Sequence, residues 1–335
     1  MKRTLAVLFL TLFLCGCAAL RETANIQFFS MDTLMTITYA EEDLDAVHHA
    51  MREISRLEAL LSRTQADSAV SALNRGETVE DAELAAVLTR AAKLGKATGG
   101  AFDVTVAPIV SAWGFTADAY RVPTEEELSS LLARVGAGGI CADNSTVTLA
   151  EGVSIDLGGI GKGYASDCVA RVFREENVSG ALAALGGNVY AHGTKSDGSP
   201  WRVAVRDPFD ASAYIGALSL SDAFAVTSGG YERFFESGGK TYHHIIDPAT
   251  GYPAESGLAS VTVICGEGLL ADALSTALYV MGEEKAIAFY RTFEEPFDMI
   301  LVTQDGRVIL TEGAAALLDT SVSEHSYQYE TVDKL

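Results

Sequence analysis

Between Ser154 and Ala165 the chain reads Ser-Ile-Asp-Leu-Gly-Gly-Ile-Gly-Lys-Gly-Tyr-Ala, with four glycines inside six positions. A short apolar run carrying a single carboxylate, Asp156, leads into them. An amphipathic pattern follows at once, with Ala165, Cys168, Val169, Val172 and Phe173 at helical spacing. The pattern predicts a strand over about 153–157, a glycine turn, and a helix over about 162–175. Glycine lets the backbone approach a ligand closely. A helix N-terminus presents free N–H groups and a partial positive charge. Together they suit a phosphate or pyrophosphate. This is no Walker A loop, because Gly163 rather than Ser or Thr follows Lys162. It also sits mid-chain, where a dinucleotide fingerprint usually opens a parallel α/β domain. On this motif alone, a tight structural turn and a phosphate site are equally open.

The first residues have the pattern of an export signal. Lys2 and Arg3 are basic, Leu5 to Leu14 are apolar, and Leu14-Cys15-Gly16-Cys17 matches a lipobox. The apolar run is too short to span a bilayer as a lasting helix. Residues 1–16 therefore read as a lipoprotein signal peptide, Cys17 as the lipidated N-terminus, and 17–27 as a tether. An ordinary secretory signal is the alternative. Acyl chains on Cys17 hold a soluble domain at the extracytoplasmic face of the cell membrane. A net charge of −21 argues against binding nucleic acid and against a polybasic membrane contact. Beyond Cys17 stand Cys141, Cys168 and Cys265, scattered and without a CxxC pair, which argues against a disulfide framework or a thiolate zinc site.

The rest of the chain mixes strands and helices without a strict βαβ rhythm, so the fold class is α+β, or mixed α/β. A strand is expected over 28–40 and a helix from Leu44 to Leu61, then a polar loop over 66–74. Thr78 is expected to cap a second helix, ended by Gly99-Gly100. Thr124 to Glu127 form a capping box for a short helix. Beyond the glycine turn come strands near 181–192, 201–206, 214–220 and 223–228, and a hairpin turned at Gly238-Gly239. A β-branched strand over 259–265, helices over 269–281 and 283–292, and a last hairpin at Asp305-Gly306 follow. A single catalytic domain is expected over 28–320, with 321–335 as a poorly ordered polar tail.

Several segments now read together. Gly100-Ala-Phe-Asp-Val-Thr-Val-Ala-Pro108 precedes Trp113-Gly-Phe115. The glycine turn is followed by Leu185-Gly-Gly-Asn-Val-Tyr190 and by Thr227-Ser-Gly-Gly-Tyr-Glu-Arg233. Then come Tyr242-His-His-Ile-Ile-Asp-Pro248, Thr250-Gly-Tyr-Pro253 and Ala271-Asp-Ala-Leu-Ser-Thr-Ala277. This ordered set resembles the FAD:protein FMN transferases, the ApbE-like flavin lipoproteins, from about Ser30 to about Gly282. The resemblance implies a fold of two intertwined α/β subdomains with the FAD site between them. It implies that FAD is cleaved at its pyrophosphate, that AMP leaves, and that FMN passes to a Thr or Ser hydroxyl of a partner flavoprotein. The acceptor is then a separate extracytoplasmic or membrane redox protein. Such a reaction needs a hard metal, a grip on the phosphates and a base.

Asp272 and Thr276 lie four apart on an expected helix, so their oxygens share one side and suit magnesium. An Asp favoured by the helix dipole and a Thr bonded back to its own helix are the structural alternatives. The resemblance adds the Gly159 carbonyl and Ser275 to the metal site. It makes His244 the base, with His243 the weaker candidate, although a histidine in an apolar run is more often a packed core residue. For the flavin and adenosine it points to Met31, Ala101, Phe102, Asp103, Asp156, Lys162 and Ile246, with core packing the alternative for Phe102 and Ile246. Two positions depart from the family pattern. Met31-Asp32-Thr33 replaces Met-Gly-Thr, and Thr64 stands where many relatives have Tyr or Trp. Loss of that aromatic leaves room for an FAD pyrophosphatase that gives FMN and AMP. A lipoprotein that binds FAD without chemistry is a further alternative.

Overall fold

The computed structural model describes residues 22–117 and 119–334. The export signal and Cys17 lie outside the described residues. Nine strands form one sheet, and they stand in it in chain order: 23–30, 33–40, 180–185, 188–193, 223–229, 258–265, 298–303, 307–311 and 328–332. Neighbours are antiparallel except the last pair. The sheet is a meander, and the parts of the cleft enter as insertions between its strands. The longest insertion, 41–179, carries the helices Leu44–Leu61, Ala82–Ala97 and Gly161–Glu175.

Both faces of the sheet are covered, which explains why Leu258–Cys265 is buried at every position. Alternation sends Tyr190, Phe224 and Val226 toward the helices, among them Gly161–Glu175 and Gly268–Met281. It sends Ala191, Ala225, Ile264 and Ile300 the other way, against a small sheet of strands 201–206, 214–220 and 318–319. A third apolar cluster joins Ile109, Trp113, Phe115, Leu128 and Ile246, with Phe235 and Tyr242 packed against it. The Trp113 indole N–H donates to the Gly251 carbonyl at 2.8 Å. This cluster anchors the hairpin of strands Phe234–Ser237 and Lys240–His243, which leads into His244.

The mixed α+β class is found, with several local corrections. Residues 28–40 are not one strand. Thr23–Ser30 and Thr33–Ala40 form a hairpin across Met31 and Asp32, so 23–27 belong to the sheet rather than to a tether. Both turn residues have positive φ, 49° and 57°. That is the primed geometry which matches strand twist, here adopted without glycine. Ala69–Asn74, expected as loop, is a helix whose N-cap is Ser68. The next helix is capped by Asp81, which accepts from the Leu84 N–H, because Val79 and Glu80 first pair with strand Thr146–Leu149. Residues 153–157 belong to no strand. The Asn74 side chain takes both main-chain groups of Ile155, at 2.7 and 2.9 Å, and the Asp156 N–H donates to the Val104 carbonyl at 2.7 Å. The polar tail joins the sheet through Gln328–Val332. The Tyr329 hydroxyl fixes it to the Ile215 carbonyl at 2.6 Å, and the Tyr327 hydroxyl donates to Asp207.

Candidate active site

A cleft of about 910 Å³ lies at the end of the sheet, between the helical layer and the segment that follows the 234–243 hairpin. It gathers Met31, Ala101, Phe102, Asp103, Asp156, Gly159, Lys162, His244, Ile246, Asp272 and Thr276. Of the residues singled out in the described part of the sequence, Ser275 and His243 do not line it. Ser275 is fully buried, donates to the Asp272 carbonyl at 2.9 Å, and meets the Ser228 hydroxyl at 2.8 Å. It stands behind the wall and supports Ser228, which does line the cleft.

The glycine turn is built differently from a phosphate cradle. Its N–H groups are largely engaged within the protein. Gly158 donates to Asp156 Oδ1 at 2.8 Å, Ile160 and Gly161 donate to the Leu157 carbonyl at 3.0 and 2.7 Å, and Gly163 donates to Asp272 Oδ2 at 2.8 Å. Gly163 is glycine because a second helix lies against it: a Cβ there would stand 2.3 Å from the Gly268 carbonyl oxygen. The turn therefore serves helix contact first. Lys162, in the first turn of its helix, lines the cleft and is a cation suited to phosphate charge. Its Nζ reaches only the Gly158 carbonyl, at 3.5 Å.

The helix Gly268–Met281 brings Asp272 and Thr276 to one side, as their spacing requires. Asp272 is 4% exposed and Thr276 Oγ1 lies 3.5 Å from Ser228 Oγ. Thr276 also faces Gly159, where its hydroxyl would stand 3.7 Å from a Cβ. Among the described residues no cluster of three His, Cys, Asp or Glu side chains is placed to hold a metal. The donor set is one buried carboxylate, hydroxyls and a main-chain carbonyl. It fits magnesium, which takes hard oxygens, keeps waters and shares substrate phosphates, and it does not fit zinc.

The two histidines differ in what they have left to give. His243 Nε2 donates to the Ala254 carbonyl at 3.1 Å, and its Nδ1 accepts from the Ile245 N–H at 3.3 Å. Both nitrogens are spent on the backbone. His244 Nδ1 lies 3.1 Å from the Arg233 carbonyl, which can only accept, so Nδ1 carries the proton. Nε2 then keeps its lone pair. Burial pushes the His244 imidazole down to about 4, helped by the nearby charges of Arg233 and Lys162, so it is neutral at pH 7. Phe115 meets its ring edge-on at 6.4 Å.

Asp156 is not a free acceptor. Arg63 Nη1 holds its Oδ2 at 2.6 Å, and the same guanidinium reaches Ser111 and the Ala107 carbonyl. Arg63 lines the cleft and went unnoticed in the sequence, where it has no motif around it. Arg206 and Glu232 also line it, and Glu232 feels the charges of Lys162, Arg206 and Asp272. Asp103 caps a short 3-10 turn by accepting from Thr105 at 2.8 Å. Phe102 is both packed and cleft-lining, at 4% exposure. The two departures from the family pattern, Asp32 and Thr64, both face the cleft.

A family model described as the ApbE family matches residues 31–301. The FAD:protein FMN transferase of Treponema pallidum is 34% identical, over 91% of this chain and 92% of its own length. That of Vibrio cholerae is 33% identical, over 91% and 96%. Among solved structures, the ApbE protein of Thermotoga maritima superposes with a TM-score of 0.82 at 32% identity, over 89% of this chain and all of that one. The flavin transferase ApbE from Vibrio cholerae gives 0.78 at 28% identity, over 89% and 100%. With a family model across most of its length and relatives that it covers almost end to end, the chain belongs to the ApbE family.

Proposed function

We propose that this protein transfers FMN from FAD to a Thr or Ser hydroxyl of a partner redox protein and releases AMP. The observation that carries this reading is that one cleft holds a neutral histidine whose Nδ1 carries the proton, a lysine at a helix start whose Nζ has only a long contact to a main-chain carbonyl, and an all-oxygen donor set suited to a metal. The acceptor hydroxyl attacks the FMN phosphorus. A new P–O bond forms, the bond to the AMP phosphate oxygen breaks, and His244 Nε2 takes the hydroxyl proton. Lys162 binds the phosphates, and Asp272, Thr276 and the Gly159 carbonyl would hold magnesium, which would supply charge neutralisation at the pyrophosphate. Met31, Ala101, Phe102 and Ile246 give apolar contacts to the rings, and Asp103 and the Arg63-held Asp156 give polar ones. The export pattern at 1–16 and the lipobox at Cys17 support a lipid-anchored protein at the extracytoplasmic face of the cell membrane.

The test is incubation of the soluble domain with FAD and magnesium, with and without a recombinant acceptor domain from a flavinylated redox protein. AMP release with flavin left on the acceptor supports transfer. AMP release with free FMN, whatever is added, points to hydrolysis instead. Bound FAD with no AMP points to a carrier.

A further inference from the structure

With the N–H groups at 158, 160, 161 and 163 engaged inside the protein, a pyrophosphate in this cleft needs other donors. One stands nearby. Asn188 opens the strand Asn188–Gly193 directly after the Gly186-Gly187 turn, and it lines the cleft. Its side chain is 1% exposed, and its Nδ2 is buried without a hydrogen-bond partner. Buried polar groups in folded proteins are nearly always paired, so an orphaned donor in a cleft wall marks a place where something binds.

The strand register says what lies in front of it. Asn188 pairs with Val226. Side chains alternate along a strand, so Ser228, two residues on, shares the face of Asn188. Ser228 is the hydroxyl that meets Ser275 and Thr276. Asn188 therefore belongs to the sheet face that looks toward the helix carrying Asp272 and Thr276, opposite the face of Ala191 and Ala225. We propose that the Asn188 amide donates to a phosphate oxygen of the FAD pyrophosphate, an atom that only accepts. This rests on FAD as the substrate and adds a donor that the motif reading had not assigned.

Wild type, Asn188→Leu and Asn188→Asp are titrated with FAD and with riboflavin in magnesium, and melted without ligand. Leucine matches the volume and needs no partner, so the ligand-free variant melts no lower than wild type. Its Kd for FAD rises about tenfold or more, as for loss of a charge-assisted hydrogen bond, while riboflavin binding stays unchanged. Asn188→Asp sets a carboxylate against the phosphates and weakens FAD further. If the Leu variant melts too low to titrate, the Asp variant, of the same shape, decides. Unchanged FAD binding in the titrated variants overturns the assignment, and so does an equal loss for riboflavin, which would put the contact on the ring. Wild type that binds no FAD overturns the functional reading together with this one. Wild type that binds FAD, beside variants that bind it equally well, overturns this one alone.

Discussion

Asp167 and Asp272 cap each other's helices. Asp167, in the helix Gly161–Glu175, accepts from the N–H groups of Gly268 and Leu269 at 2.6 and 2.8 Å, at the start of the helix Gly268–Met281. Asp272, in the second turn of that helix, accepts from Gly163 at 2.8 Å, at the start of the first. Neither helix has a side-chain cap of its own. The exchange fixes Lys162 and Asp272, the proposed phosphate and metal groups, in one unit.

That unit depends on contact without side chains. A Cβ on Gly163 would stand 2.3 Å from the Gly268 carbonyl oxygen, and one on Gly268 would stand 2.4 Å from the Gly163 carbonyl oxygen. Gly163→Ala must therefore push the helices apart. It is expected to destabilise the fold by roughly 1–3 kcal/mol, the usual range for overpacking. It should also reduce turnover, because Asp272 moves with its helix. A melting temperature and a rate equal to wild type would show that the helix contact does not hold the site together.

Much of this was legible in the sequence because the signals were local. Amphipathic spacing located the helices at 44–61 and 161–175 to within a residue, and Gly238-Gly239 marked its hairpin. The glycine turn was found for a reason that proved incomplete. Sequence shows that glycine is needed at 163 but not whether a ligand or a second helix lies against it. The Met31-Asp32 turn escaped because residues other than glycine took positive φ. Arg63 and Asn188 escaped because what places them in the cleft is distant in the chain. Asp156 lies 93 residues from Arg63, and the face shared by Asn188 and Ser228 follows only from strand register.

Asp167 gives a pH dependence with a definite sign. Burial raises its carboxyl to about 6, against an ordinary value of 3.8, although two N–H donors pull it down. Between those values the folded state keeps a proton that the unfolded state has lost. At this site, stability therefore rises as pH falls from 7 through 6 toward 4. Wild type should gain stability relative to Asp167→Asn across that window in denaturant unfolding. A constant difference between the two proteins would contradict the shift.

Asp272→Asn separates the proposed metal role from the capping role. The amide oxygen can still accept from Gly163, but the negative charge is gone. Turnover with FAD and magnesium is expected to fall about a hundredfold or more, as for loss of several kcal/mol of charge stabilisation. The melting temperature of the metal-free protein should stay within a few degrees of wild type. Full activity at low magnesium would remove Asp272 from the metal site.

As the proposed base, His244 predicts where the acid limb of the reaction lies. Its pKa, lowered to about 4 by burial, keeps Nε2 unprotonated well below pH 6.5. The group contributes no loss of kcat/KM as pH falls from 8 to 6, and its acid limb lies nearer 4. His244→Gln should lower kcat by about 10²–10⁴, the span for a general base, and abolish that limb. A limb centred near 6.5 in wild type, unchanged in the variant, would give the proton to another group.

Thr64 is the position at which control of water access to the pyrophosphate can be tested. It lines the cleft beside Arg63, and its hydroxyl meets Ser62 Oγ at 3.1 Å rather than presenting a ring. Thr64→Tyr puts an aromatic face on the same wall. Stacking on a bound ring adds on the order of 1 kcal/mol, about fivefold in affinity. The ring also takes up space through which water reaches the phosphorus. Hydrolysis needs that water, whereas transfer needs a hydroxyl brought in by a protein. The variant should release FAD more slowly and form less AMP when no acceptor is present, while transfer to an acceptor is reduced less. Stopped-flow dissociation and AMP assays read the two effects separately. If both rates match wild type, the residue at 64 does not touch the ligand, and water access is controlled elsewhere in the cleft.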